Sequence, residues 1–183
     1  MNDKTKKLVI GALLCAFTTV ATMVIKFPTP TFGYIHLGDG LVLLCGIILG
    51  PIGGALSAGI GSMFADIFSG YASFAPATLI IKAITAGIAG LIFHKANYRL
   101  THKTILAAIP SELFMVFGYF IYEVLLTLIA AQSNSVSLLA SAITASAIGI
   151  PFNLLQGIVG IFISLALLPI LIKISDIREW ILK

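Results

Sequence analysis

Residues 37–68 read LGDGLVLLCGIILGPIGGALSAGIGSMFADIF, and this stretch decides the fold. Apolar and small residues fill it, and its only charges are Asp39 near the start and Asp66 near the end. Pro51 stands near the centre, where a helix is broken because proline lacks an amide hydrogen and its ring clashes with the preceding turn. The stretch therefore predicts two membrane-crossing helices, one on each side of Pro51, joined by a tight turn.

The rest of the chain has the same character. Of its 183 residues, 59% are hydrophobic and only 10% are charged, and the mean hydropathy is +1.10. Soluble domains carry about 25% charged residues, so the composition predicts an integral membrane protein. Apolar runs long enough for membrane helices predict an all-α bundle of six spans in a single domain, 1–183, with spans at 7–26, 37–50, 52–68, 76–94, 104–131 and 148–173.

The basic residues predict the orientation of these spans. On one side of the membrane lie nine of them, and on the other side only Lys26. Because lysine and arginine collect on the cytoplasmic side, both termini are predicted to be cytoplasmic. Orientation and anionic lipid account for the positive charge, so it does not indicate nucleic-acid binding. The nine are Lys4, Lys6, Lys7, Lys95, Arg99, Lys103, Lys173, Arg178 and Lys183.

Three outer connections follow from this topology: Phe27 to His36, Ser69 to Ala75, and Gln132 to Ala147. The last one is uncharged and rich in serine, yet it also carries several large apolar residues. This mixture predicts a short helix lying at the membrane interface.

Polar side chains inside the predicted spans share one depth, toward the outer ends of the helices. Charged groups in the hydrocarbon are costly and usually mark a site or a pathway. Aromatic rings at the same depth offer stacking, while carboxylates, an ammonium and amides can orient a small heteroaromatic ligand. The predicted substrate-binding residues are Asp39, Asp66, Lys82, Glu123, Asn153 and Gln156, together with Tyr119, four residues before Glu123, and Tyr34 in the first outer connection.

Structural interpretations of the same residues stay open. Lys82 and Asp66 can form a buried ion pair that holds two helices together, and Asn153 with Gln156 can hydrogen-bond between helices. Glu112 lies closer to the cytoplasm, where it would pair with a cation or face lipid headgroups. These interpretations explain each residue singly but not their common depth.

The first span carries Ala12 and Ala16 at the small-xxx-small spacing that lets membrane helices approach closely. This pattern fits either internal packing or docking on a partner protein. The two cysteines, Cys15 and Cys45, lie within apolar spans and are interpreted as small hydrophobic residues, without a disulfide or a metal.

Catalytic motifs are missing from the sequence. The three histidines lie at span ends or in loops, no HExxH zinc motif occurs, and no Walker motif occurs. We therefore expect no enzymatic activity, no metal and no cofactor of its own, and any ATP that powers transport would be used by other chains.

The order of several motifs resembles the substrate-binding S components of energy-coupling factor (ECF) vitamin transporters. The resemblance covers essentially the whole chain and is greatest to the branch associated with riboflavin, hydroxymethylpyrimidine and pyridoxine. It runs through the basic N-terminus, Ala12-xxx-Ala16, Gly53-Gly54-Ala55 through Gly61, Asp66, Gly70-Tyr71, Pro76 through Lys82, and Gly87-xx-Gly90.

The resemblance implies a mechanism. An S component in the bacterial plasma membrane binds a vitamin from outside, and its first outer loop, here Phe27 to His36, closes over the pocket. It then docks through the alanine motif, here Ala12 and Ala16, on a transmembrane scaffold subunit driven by two cytoplasmic ATPase subunits, and topples to deliver the vitamin inward.

The choice of ligand rests on size. Pyridoxine or hydroxymethylpyrimidine needs one ring and a few polar partners, whereas riboflavin needs a long cavity. We therefore favour a single-ring vitamin, with riboflavin as the alternative within the family. A self-contained ion- or proton-coupled carrier, using Asp66, Lys82 and Glu123 as a relay, is the alternative from another class.

Overall fold

The computed structural model describes residues 2–31, 33–131 and 135–182 and is almost entirely helical, as the sequence predicts. Gln132, in the last predicted outer connection, and Lys183, in the basic set, lie outside the described residues. The elements in chain order are α1 Asp3–Val24, β1 Lys26–Pro28, β2 Tyr34–His36, α2 Asp39–Phe68, α3 Ala75–Lys95, α4 Leu100–Ala131, α5 Val136–Ala147, α6 Gly149–Leu171 and α7 Ser175–Leu182.

Helix α2 is broken at Gly50, whose φ of 78° and ψ of 178° are not helical. The chain turns back on itself there and brings Gly54 against Gly46. The two backbones are so close that a Cβ added to Gly54 would lie 2.4 Å from the Cα of Gly46. Only glycine adopts this backbone conformation readily, and Pro51 then begins the second half. The break confirms the predicted turn and divides α2 into the two predicted segments.

Five helical stretches of the described chain are long and apolar enough to cross a membrane, and the break in α2 supplies the sixth segment. The last of these stretches, Val136–Leu171, contains both α5 and α6. The first half of α2 is only about eleven residues long but is enclosed by the other helices, and its side chains from Val42 to Ile48 are buried. This short segment therefore forms the centre of the bundle, with α1, α3 and α6 packed around α2.

A small hairpin lies between α1 and α2, where the sequence predicted only a loop. Strands β1 and β2 pair antiparallel, with Lys26 opposite His36 and Pro28 opposite Tyr34. The turn is closed by the amide of Thr29, which donates to the carbonyl of Gly33 at 3.1 Å. This hairpin lies across one end of the helical bundle and contacts α1 and α6.

Two short helices complete the fold. Helix α5 forms in the connection where an interfacial helix was predicted, and Ser135 caps its first turn by accepting from the amide of Leu138. Helix α7 was not predicted. It packs on the bundle through Ile177 and Ile181, which are buried, and Asp176 accepts from the Lys6 ammonium at 2.6 Å.

Candidate functional site

Most of the polar side chains that the sequence placed at one depth line a small pocket between the hairpin and the helical bundle. Its volume is about 20 Å³, which is room for roughly one water molecule. The hairpin, α2, α3, α4 and α6 all contribute to the wall. The lining residues are Thr29, Gly33, Tyr34, His36, Asp66, Phe74, Thr78, Tyr119, Glu123, Asn153 and Gln156.

Six of the eight predicted ligand-binding residues therefore lie in this wall, and two do not. Tyr34, Asp66, Tyr119, Glu123, Asn153 and Gln156 line the pocket. Asp39 and Lys82 lie outside the lining and are completely buried, where they form an ion pair with each other. The hypothesis of a buried ion pair between Lys82 and Asp66 is therefore wrong, since the partner of Lys82 is Asp39.

Two carboxylates in the wall are each bound to the hairpin by one oxygen. The Tyr34 hydroxyl donates to Oδ1 of Asp66 at 2.6 Å, and the Thr31 hydroxyl donates to Oε1 of Glu123 at 3.1 Å. Within the described chain, Oδ2 of Asp66 and Oε2 of Glu123 are buried and accept no hydrogen bond. The Thr78 hydroxyl lies near Asp66, but its hydrogen bond is to the Tyr119 hydroxyl, at 3.1 Å.

Gln156 connects the pocket to the ion pair below it. Its Nε2 donates to Oδ2 of Asp39 at 2.7 Å, while its Oε1 accepts from the backbone amide of His36 at 2.9 Å. The Lys82 ammonium donates to the other oxygen of Asp39, Oδ1, and lies 5.2 Å from the centre of the Tyr119 ring. A buried charge needs such a set of partners, so Lys82 and Asp39 orient Gln156 from beneath the pocket wall.

His36 is buried in the hairpin with its ring neutral. Burial lowers the pKa of its imidazole to about 4. The amide of Gly38 donates to Nδ1 at 3.0 Å, so the ring proton is on Nε2. A neutral histidine with this tautomer can offer a ligand only one hydrogen bond, which Nε2–H donates.

Glu112 is buried in the bundle instead of facing lipid headgroups. Its carboxyl lies against α6, where a Cβ added to Gly157 would be 3.2 Å from Oε2. Within the described residues neither of its oxygens has a hydrogen-bond partner, and the charges that act on it are those of Asp39 and Lys82. Two acids and one base therefore share the interior below the pocket.

The sequence interpretation missed Thr29, Gly33, His36 and Thr78 as pocket residues. Thr78 had a signal, since it lies four residues before Lys82 and so on the same face of α3. For the hairpin residues the family resemblance gave the segment, Phe27 to His36, but not the individual side chains, because their direction depends on how the short strands fold back across the bundle.

The small residues of α1 divide into two groups. Gly11 and Cys15 pack against α2, where a Cβ on Gly61 would lie 2.5 Å from the carbonyl oxygen of Cys15. Ala12 and Ala16 are exposed on the outside of the bundle. Ala12 lines a groove of about 630 Å³ between α1 and the second half of α2. Internal packing thus uses the neighbours of the alanine pair, and the pair itself faces outward.

Comparison with known families supports this architecture. Residues 2–173 match the family of the ECF-type riboflavin transporter, S component. The chain belongs to this family. It is therefore an S component of an ECF-type vitamin transporter and a multi-pass membrane protein, and the family is one of transporters, not of enzymes. Helix α7 lies beyond the matched residues.

Two solved structures share the fold of this S component. One, described as the S component of a bacterial ECF transporter, is 25% identical, has a TM-score of 0.71, and is aligned over 93% of this chain and 97% of its own. The S component for biotin from an ECF-type ABC transporter is 20% identical with a TM-score of 0.66, aligned over 97% and 96%, and shows the fold alone.

A relative from Pyrococcus woesei, described as an uncharacterized protein in a gap 3′ region, is 36% identical over 104 residues. The aligned part is 55% of this chain and 67% of the relative.

Proposed function

We propose that this S component captures a single-ring, hydroxyl-bearing vitamin of the pyridoxine or hydroxymethylpyrimidine type from outside the cell. The observation that carries the proposal is that two acids lining the pocket, Asp66 and Glu123, each keep one buried oxygen, Oδ2 and Oε2, without a hydrogen-bond donor among the described residues. Buried carboxylate oxygens are costly unless a donor reaches them. A ligand that brings two donors satisfies both.

The charge of the wall favours a neutral or cationic ligand. The lining contains two acids, whereas Lys82 is already paired with Asp39 outside it. An anionic ligand would therefore meet like charges without a free cation nearby among the lining residues. Hydroxymethyl, phenol and amino groups supply the donors that the two carboxylates need, and Phe74 and Tyr119 supply ring surface for stacking.

The size of the pocket favours one ring over three. The cavity of about 20 Å³ is smaller than any vitamin, so the hairpin must move before a ligand enters. A single ring needs a smaller displacement of β1 and β2 than the long isoalloxazine and ribityl chain of riboflavin. Riboflavin remains the second candidate, because residues 2–173 match a family whose description names riboflavin transporters.

Transport itself is proposed to depend on other subunits. Ala12 and Ala16 would dock on the ECF transmembrane scaffold, and two cytoplasmic ATPase subunits would supply the energy. The exposure of both alanines beside an open groove supports this assignment. A self-contained carrier would instead move its substrate in liposomes without ATPase subunits and would respond to a pH gradient.

Calorimetric titration of the purified protein in lipid nanodiscs tests the ligand. We expect tight one-to-one binding of pyridoxine or hydroxymethylpyrimidine and no binding of biotin, which carries a carboxylate. Asp66→Asn and Glu123→Gln should each weaken binding by about tenfold or more, because a hydrogen bond to a charged group contributes about 1.5–3 kcal/mol. Asp3→Asn, which removes an exposed acid at the start of α1, should bind as the wild type does.

The titration separates the candidates. Tight binding of riboflavin with weak binding of the single-ring vitamins would overturn the proposed ligand and leave the family unchanged. Full affinity in both Asp66→Asn and Glu123→Gln would show that the pocket described here is not the binding site.

A further inference from the structure

One turn of α6 faces two carboxyl groups that belong to other helices and lie beneath the pocket. A Cβ added to Gly157 would lie 3.2 Å from Oε2 of Glu112 on α4. A Cβ added to Gly160 would lie 2.8 Å from the Cβ of Asp39 on α2. Gln156, in the same turn, donates to Oδ2 of Asp39 at 2.7 Å. Both acids are therefore held against α6 beside a residue that lines the pocket.

Glu112 is the acid without a donor. It is only 4% exposed, and neither of its oxygens has a hydrogen-bond partner among the described residues. The Asp39 carboxyl is near enough to share a hydrogen bond with it, but two ionised carboxylates have no hydrogen between them. Asp39 is already balanced by the Lys82 ammonium. An ionised Glu112 would add an uncompensated negative charge to the interior of the bundle, which is costly.

One proton shared by the two acids removes this cost, and the neighbours of Asp39 decide which acid carries it. The Lys82 ammonium donates to Oδ1 of Asp39, and the Gln156 amide donates to Oδ2. Both contacts stabilise the ionised form of Asp39, so the proton belongs on Glu112. A carboxylate oxygen accepts more than one hydrogen bond, and Asp39 can therefore accept from Glu112 as well.

We propose that Glu112 is a positioning residue, which carries a proton, donates it in a hydrogen bond to Asp39 and so fixes the Gln156 amide in the pocket wall. With Asp39 ionised, Nε2 of Gln156 donates to it, and Oε1 accepts from the His36 amide at 2.9 Å. A proton on Asp39 would instead favour the opposite orientation of the Gln156 amide, in which the His36 contact is lost. The inference rests on the proposed function only in that Gln156 contacts the ligand.

Infrared difference spectroscopy of the ligand-free protein in nanodiscs tests the proton. A protonated carboxyl group has a carbonyl stretching band that a carboxylate lacks. We expect the wild type at neutral pH to show one such band that Glu112→Gln does not show. Asp176→Asn is the matched control, because Asp176 is paired with the Lys6 ammonium at 2.6 Å and has no such band to lose. Identical bands in the wild type and Glu112→Gln would overturn the inference.

Hydrogen exchange of the His36 backbone amide, also measured without ligand, tests the positioning. Glu112→Gln keeps a donor for Asp39 and should exchange as the wild type does, whereas Glu112→Met, of similar size but without a donor, should exchange several-fold faster. Leu113→Met, at the exposed neighbouring position of α4, is the control. Equal exchange in the wild type and Glu112→Met would show that the proton does not fix Gln156. If Glu112→Met does not fold, the infrared band and Glu112→Gln decide the inference.

Titration with pyridoxine connects the proton to ligand binding. Glu112→Gln should bind as tightly as the wild type, and Glu112→Met should bind several-fold more weakly. If the wild type fails to bind pyridoxine, the proposed ligand is wrong, and the infrared band with the His36 exchange rate still decides the role of Glu112. Full affinity in Glu112→Met would overturn the connection between Glu112 and the pocket.

Discussion

At the scale of single residues, the buried charges are the most constrained feature of this protein. Lys82 and Asp39 are paired with no exposure to solvent, and Asp39 also accepts from Gln156. Removing two ions from water is expensive, and the pair is tolerated because each charge has partners. Removal of one partner leaves the other charge buried alone, which costs far more than the pair itself contributes.

Lys82→Met should therefore destabilise the protein by about 3–5 kcal/mol in unfolding free energy. The double variant Lys82→Met with Asp39→Asn should recover most of that loss, since it removes both charges. Unfolding followed in detergent micelles measures both effects. Lys6→Met is the matched control because the Lys6–Asp176 pair is partly exposed, and its loss should cost much less than the loss of the Lys82 ammonium. Equal losses in the two lysine variants would contradict this account.

The packing of His36 beneath the hairpin has a pH dependence of defined sign. Burial lowers its pKa to about 4, against about 6.5 for an exposed imidazole. A form in which the ring is exposed would bind the proton more readily, so the packed arrangement is fully stable above about pH 6.5 and weakens as the pH falls toward about 4. The charge of Asp39 raises this pKa and the charge of Lys82 lowers it.

We expect the affinity of the wild type for pyridoxine to fall, relative to His36→Asn, by up to about tenfold per pH unit between about pH 6 and 4. Asparagine keeps an acceptor for the Gly38 amide but does not titrate. The ratio of the two dissociation constants removes the titration of the ligand and of the pocket acids. A ratio that stays constant from pH 7 to 4 would contradict a role for His36 protonation.

At the scale of the elements, the reversal of α2 at Gly50 fixes the centre of the bundle. Gly46, Gly54 and Gly90 meet there, and a Cβ on Gly90 would lie 2.6 Å from the carbonyl oxygen of Gly46. The reversal brings the first half of α2, with Asp39 at its start, into the interior. The position of the ion pair beneath the pocket therefore depends on this turn.

Gly50→Ala should cost about 1–2 kcal/mol of unfolding free energy, because its positive φ is unfavourable for any residue with a Cβ. Open space surrounds the position, so the cost is one of backbone conformation and not of a clash. Gly87→Ala in α3 is the control. Its Cβ would make only ordinary contacts, at 3.7 Å and beyond, and it should be neutral or stabilising by up to about 1 kcal/mol. A harmless Gly50→Ala would show that the turn does not require glycine.

The sequence predicted the elements better than it predicted their contacts. Run lengths of apolar residues and the break at Pro51 suffice for the spans, because a membrane helix is defined by its own composition. The hairpin was missed because its strands are only three residues long and the first one ends in Pro28. The Lys82 partner was missed because pairing between helices depends on their relative rotation, which no local pattern contains.

At the scale of the whole molecule, the pocket and the alanine pair lie in different parts of the fold. The pocket lies under the hairpin, whereas the groove beside Ala12 is lined by Lys4, Lys7 and Leu8 near the other end of α1. Ligand capture and docking should therefore be separable by mutation. The Lys7 ammonium also lies 5.4 Å from the centre of the Trp180 ring, so α7 borders this groove.

Ala12→Trp should abolish docking on the ECF scaffold while leaving ligand affinity within about twofold of the wild type. The indole would fill the groove that a partner helix needs for close approach. Co-purification with the scaffold and ATPase subunits measures docking, and ATP-dependent uptake in proteoliposomes measures its consequence. Leu113→Trp, on an exposed face of α4, is the control. Normal assembly and uptake with Ala12→Trp would place the docking surface elsewhere.

The most direct test of the central claim is native mass spectrometry of the protein after incubation with an equimolar mixture of pyridoxine, hydroxymethylpyrimidine, riboflavin and biotin. The account predicts a one-to-one complex with a single-ring vitamin, lost in the double variant Asp66→Asn with Glu123→Gln. A complex with riboflavin alone, or a single-ring complex that survives the loss of both carboxylates, would contradict it.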